Sequence, residues 1–190
     1  MNVAPLELSA LFDDVLGVVR SARSATIGWR MICVRARRSL GSPVVGPLAD
    51  LDLDEDVAAL VPRVARLLVR APAVLEALVF ELFEPMSMPG EAFAGFRLTG
   101  TAEFDPKVRW LARAPEWQPS GGHLPSPALD AIVAHAPRVR LAQRPPVLHA
   151  LRFGAAALLA RDLARATLAP QRVVTAFEQG EAYDVGPPRS

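Results

Sequence analysis

Cys33 is the chain's only thiol, and His123, His135 and His149 are its only imidazoles. A cysteine becomes a nucleophile when a histidine or another cation stabilises its thiolate. Cys33 instead lies on the apolar side of TIGWRMICVRAR, where a buried thiol is inert. Three widely separated histidines with a single cysteine give neither a Cys/His zinc spacing nor a four-cysteine site. The chain has no G-x-S-x-G, P-loop or G-x-G-x-x-G motif, and Gly121-Gly122 lacks the Lys-Ser/Thr that completes a phosphate cradle. No catalytic residue, metal ligand or cofactor is therefore assigned. Asp105, Glu116 and His123 are the groups that a small enzyme with an unrecognised acid–base site would use.

Charge offers two further chemistries. Asp50, Asp52, Asp54, Glu55 and Asp56 form the densest acidic run, the kind of oxygen cluster a hard cation takes. The central glycine and closing glutamate of an EF-hand loop are missing, and acids before an apolar-periodic stretch suit a helix N-terminus. Two acid-free stretches carry Arg20, Arg23, Arg30, Arg35, Arg37 and Arg38, then Arg138, Arg140, Arg144, Arg152 and Arg161. Arginines so grouped could follow a phosphate backbone. Both stretches, 20–38 and 138–161, have almost no aromatics to stack bases, and the net charge is only +1. Nucleic acid is not the expected partner and stands as an alternative.

The segment from Phe93 to Pro127 concentrates aromatics beside a Pro/Gly loop: Phe93, Phe96, Phe104, Trp110, Trp117 and His123, with Pro115, Pro119, Gly121, Gly122 and Pro125. Such rings dominate binding hot spots. Trp117, His123, Glu116 and Gln118 are the expected partner-binding residues, with Trp117 and His123 exposed and Trp110 packed as scaffold. The order of ALVFELFEPM followed by FAGFRLTGTAEFDPKVRW resembles that of small bacterial domains from defence and toxin–immunity loci. Absent catalytic motifs, a single-domain size of 190 residues and aromatics in a Pro/Gly loop point to work by binding another protein. The expected function is a non-enzymatic interaction protein: immunity-like, an adaptor, or an accessory subunit of a larger assembly.

The elements that must hold these residues follow from periodicity. Leu8, Leu11, Phe12, Val15 and Val19 predict a helix over Leu6–Ala22. Ile27, Trp29, Met31 and Cys33 alternate, which predicts a strand over Thr26–Arg37. Ser39–Pro47 reads as a loop. Asp52 or Asp54 should cap a helix running to Arg70 with Pro62 inside it. Pro72 should open a helix presenting Leu75, Leu78, Val79, Leu82 and Phe83. Strand-like halves follow at Phe93–Phe104 and Lys107–Arg113. Ser126-Pro127 starts another helix, and Val147–Leu168 repeats Leu148, Leu151, Leu158, Leu159 and Leu163 at helical spacing, with Gly154 a local weakness. Val173–Phe177 and Ala182–Val185 flank Gln179-Gly180 as a hairpin.

This order predicts an α+β fold, about five helices packed on a small, mainly antiparallel β-sheet. Residues 1–185 are expected to form a single globular domain and 186–190 a flexible C-terminal tail. With 51% apolar and 22% charged residues among 190, the chain can bury a core without disulfides. Lys107 is the only lysine among 21 basic residues, a bias that suits a GC-rich bacterial genome. A lone cysteine, no basic leader and no apolar run of roughly 18 residues place the chain in the cytoplasm and off the membrane.

Overall fold

The computed structural model describes residues 5–40, 45–83, 94–105, 115–135, 144–177 and 182–186. Helix α1 spans Pro5–Ser21 and buries Phe12, Val15, Leu16 and Val19, the stripe its periodicity predicts. Helix α2 follows at Ala25–Leu40, where a strand was expected. Trp29, Ile32, Cys33 and Ala36 are buried while Ile27, Met31 and Val34 are exposed. That is a helical stripe, and it separates the residues that alternation had grouped together. Tertiary packing overrides the β propensity of Thr26, Ile27 and Trp29. A Cβ on Gly28 would lie 2.5 Å from Leu158 Cδ2, and one on Gly154 would lie 2.8 Å from Ile32 Cδ1. The two glycines let α2 approach the last helix closely, so Gly154 is a contact point rather than a weakness.

A short 3-10 turn, Gly46–Leu48, accepts the Trp29 indole Nε1–H at Leu48 O, 2.6 Å. Helix α3 runs Leu53–Leu68 through Pro62. Asp52 caps it, accepting from Asp54 N and Glu55 N at 3.0 and 3.3 Å. Thr26 Oγ1 donates to Asp52 at 2.7 Å, while Thr26 N donates to Asp54 Oδ1 at 3.1 Å, so the same run also caps α2. These bonds, led by the Thr26 hydroxyl and the Glu55 amide, hold the Asp52 carboxyl below its ordinary range.

After α3 the chain enters the sheet. Strand β1 is Ala77–Phe83, not the helix expected after Pro72. An apolar run such as ALVFELF suits either element. Here it pairs on both edges and is covered on both faces, which calls for continuous rather than alternating hydrophobicity. Strands β2 (Gly95–Thr101), β3 (His123–Pro125), β4 (Arg172–Phe177) and β5 (Ala182–Asp184) complete the order β3-β2-β1-β4-β5. β1 pairs antiparallel with β2 and parallel with β4, and β2–β3 and β4–β5 are antiparallel. The sheet is therefore mixed, with its one parallel pairing at the centre. β4 and β5 form the expected hairpin. Lys107–Arg113, with Trp110, lies outside the described residues, as does 187–190 of the expected tail.

Helix α4, Pro127–His135, starts where Ser126-Pro127 predicts. Ser126 Oγ accepts from Leu129 N at 3.2 Å and donates to the buried Asp56, which also accepts from Ala128 N at 3.1 Å. Helix α5, Arg144–Ala166, carries the connection from β3 back to β4 and packs on both β1 and β4. Leu78, Phe80, Leu82, Phe96 and Leu98 share one core with α5 and the other helices. Ala77, Val79, Val174, Ala176 and Ala182 form a smaller cluster on the other face, with Phe104 against it. The described residues thus form five α-helices and a five-stranded mixed sheet, an α+β fold.

Leu151, Leu158 and Leu159 are buried in α5 as expected, and α5 meets the Ala77–Phe83 segment as a strand rather than a helix. Truncating Leu158 removes atoms that fill the Gly28 crossing. Leu158→Ala should cost about 2–5 kcal/mol, read as a fall in the urea midpoint at unchanged slope.

Candidate functional site

Two arginines of α3, a third just past its end and one neighbouring turn define a basic concavity among the described residues. Arg63, Arg66 and Arg70 are spaced three and four apart, which sets them along one side of α3 and just past its end. The negative end of the helix dipole favours cations there. Opposite stands the loop from Pro115 to Gly122. It is bound to β2 by a two-way bridge: Gly100 N donates to Trp117 O at 3.0 Å, and Trp117 N to Gly100 O at 3.1 Å. A Cβ on Gly100 would stand 3.2 Å from Trp117 Cε3 and 2.6 Å from Leu75 Cδ1, so the indole lies over a residue that must stay bare. Gly121 takes φ +79°, a left-handed turn that glycine makes without strain. Its carbonyl accepts from Arg63 Nη2 at 3.1 Å, joining loop to helix.

Between them lies a groove of about 770 Å³, walled by Arg63, Arg66, Arg70 and Val69 on one side and by Trp117, Pro119 and Ser120 on the other. Among the described residues no carboxylate lines it. Arg66, which lines the groove, donates from Nε to Pro62 O at 3.3 Å. Val69 is 86% exposed, an apolar contact beside three cations. The groove suits an anionic ligand with some apolar surface.

The four residues singled out in the loop divide. Trp117 is 8% exposed, so the expectation of an exposed indole is corrected: the Gly100 bridge and the Leu75 contact hold it down, and it serves as a wall. Glu116 and Gln118 are exposed, and Glu116 Oε2 accepts from Ala102 N at 3.0 Å, fixing the chain after β2. His123 is exposed, as expected. It pairs with Arg97 in the β2–β3 register, and its ring meets Phe83 edge-on at 4.6 Å. Burial first, then Arg63 and Arg97, push its pKa below the ordinary 6.5.

His135 is buried, and His149 stacks on Phe177 with centroids 3.9 Å apart. Burial pushes the Cys33 thiol up to about 12, so the thiolate is not formed near neutrality. Among the described residues no group of three His, Cys, Asp or Glu side chains is placed to hold a metal ion. No helix there is long and apolar enough to cross a membrane. The first arginine stretch is partly consumed by structure: Arg20 Nη2 donates to Asp184 O at 3.1 Å and Arg35 pairs with Asp14 at 3.4 Å. In the second, Arg161 is buried, and Arg138 and Arg140 lie outside the described residues. Sequence reasoning passed over Arg63, Arg66 and Arg70, although their spacing on a helix was legible.

Compared with models of known protein families, with curated proteins and with solved structures, the chain matches none.

Two outcomes follow from this geometry. Because Trp117 is a wall rather than an anchor at the surface, Trp117→Ala should lower stability by about 3–5 kcal/mol, measured by denaturant unfolding. For His123 the folded pKa is depressed, so the unfolded chain binds the proton first. Its contribution to stability is present above pH 6.5 and is lost as the pH falls through the lower folded value. His123→Gln should therefore lessen the fall in melting temperature below pH 6.5, with little change at pH 8.

Proposed function

We propose that this chain is a non-enzymatic interaction protein that holds an acidic segment of a partner protein in the groove beside α3. The observation that carries the reading is the lining itself, with Arg63, Arg66 and Arg70 and, among the described residues, no carboxylate. Guanidinium groups take carboxylates in paired, charge-assisted hydrogen bonds, and Val69 and the flank of Trp117 offer apolar contact to the same segment. Glu116, Gln118 and His123 stand exposed around the loop, where a bound chain would continue past the groove. The role suits an immunity protein, an adaptor or an accessory subunit working in a bacterial cytoplasm.

Nucleic acid is the less favoured occupant. Stacking needs an accessible ring face, and the one tryptophan at the groove is covered. A small enzyme using Asp105, Glu116 and His123 is not favoured by any contact: Glu116 is committed to the Ala102 amide and the His123 ring to Phe83.

The test is fluorescence anisotropy with a labelled peptide of roughly ten residues, alternating Glu or Asp with Leu, against an oligothymidylate of equal length. The peptide should bind and weaken with added salt. Arg66→Glu with Arg70→Glu should lower its affinity at least about tenfold while changing stability by less than about 0.5 kcal/mol. Absence of peptide binding, or tighter binding of the oligonucleotide, would sink the reading.

A further inference from the structure

The described residues leave four buried side-chain atoms without a hydrogen-bond partner: Arg161 Nη2, Gln171 Oε1, Arg172 Nε and Thr175 Oγ1. The residues bearing the first three line a single cavity of about 460 Å³, at the end of α5 where the chain turns into β4. Buried polar groups are nearly always satisfied, and an unmet one carries the full cost of its lost hydration. Three of the four on residues that line one space is a pattern that an occupant would explain.

Arg161 is the centre of it. The side chain is 1% exposed. Its Nε donates to Asp162 Oδ1 at 2.7 Å. Its Nη1 donates to Val19 O and, at 2.9 Å, to Ala22 O, the terminal carbonyls of α1. The rest of the guanidinium, Nη2, meets no acceptor. Arg172 is held by Asp184, itself a lining residue, at 3.0 Å from Nη1, while its Nε stands 3.5 Å from Glu76 Oε1 without a hydrogen bond. Gln171 can turn its amide and present the NH2 group instead of the oxygen. The unmet groups are then donors throughout, and they call for an oxyanion.

The remaining walls combine apolar side chains with Arg165, Asp184 and Gly186. Ala164, Leu168, Ala169, Pro170 and Val173 line the cavity. Leu168 takes φ 53° and is 87% exposed. It sits at the left-handed position that ends α5, where Ala169 N reaches back to Ala164 O at 3.0 Å. Glycine is the usual occupant of that position, because a Cβ is disfavoured there. An exposed leucine in its place sets an apolar side chain at the rim.

We infer that this cavity binds a small organic carboxylate, its head on Arg161, Gln171 and Arg172 and a short aliphatic body against Ala164, Leu168 and Val173. The site shares no lining residue with the α3 groove, so it stands or falls independently of the proposed function. The surrounding charges are balanced, Arg161, Arg165 and Arg172 against Asp162, Asp184 and Glu76. Selection therefore rests on directed hydrogen bonds to the head group rather than on an excess of positive charge.

Calorimetric titration of the full chain with hexanoate tests it, with hexanamide, hexanol and inorganic phosphate as the other arms. Hexanoate should saturate with a Kd of about 1 mM or tighter, and the other three should not compete. Gln171→Leu, a half-buried position, should weaken hexanoate roughly tenfold, and Arg161→Met should abolish binding. If Arg161→Met does not fold, Gln171→Leu decides alone. The inference is overturned by absence of saturable hexanoate binding, by equal binding of the amide or alcohol, by phosphate displacing hexanoate, or by wild-type affinity in Gln171→Leu.

Discussion

Helix α5 must be covered on every side, and the rest of the molecule is arranged to do it. From Ala150 to Ala164 only Arg152 is not fully buried. A helix of that kind has no solvent face, so α1, α2, α3 and α4 and the strands β1 and β4 all lie against it. Close packing around it requires small residues, which Gly154, Ala155, Ala156, Ala157 and Ala160 supply. Where it carries a charge in the interior, at Arg161, the guanidinium reaches the last carbonyls of α1. Those carbonyls have no partner within their own helix, so a costly buried cation and an unfinished helix end satisfy each other.

The acidic run plays the matching part at the opposite polarity. Asp52 and Asp54 cap α3 and the first turn of α2, and Asp56 reaches the start of α4. The amides it meets are those that helices leave unpaired, and the dipoles there favour negative charge. Acids that could be read as a cation site are spent on joining three helix starts.

Both candidate sites arise at helix ends. The α3 groove combines arginines of the last turns with a loop fixed by Gly100 and Gly121. The α5 cavity forms where the last turn gives way to β4. Helix cores are consumed by packing, so chemistry accessible to a ligand collects where backbone ends and loops meet. The tryptophan that composition marked as an anchor is part of this support, its ring held over a glycine of β2.

The residues by themselves determined what depends on local periodicity and punctuation. α1, α3, α4, α5 and the β4–β5 hairpin follow from apolar spacing, from Asp52 and Ser126 at helix starts and from the Gln179-Gly180 dipeptide between two strand-like runs. The inert Cys33 and the capping use of the acidic run were legible for the same local reasons. What only the tertiary structure decided was anything in which two elements compete for one segment. Thr26–Arg37 became helix because Gly28 and Gly154 admit α2 against α5, through contacts with Leu158 and Ile32 far away in the chain. Ala77–Phe83 became strand because β2 and β4 pair with both its edges, which an apolar run of seven residues does not announce. The sites belong to that second class as well: Trp117 is covered, and Arg161 is left with an unmet nitrogen, only through neighbours far away in the chain.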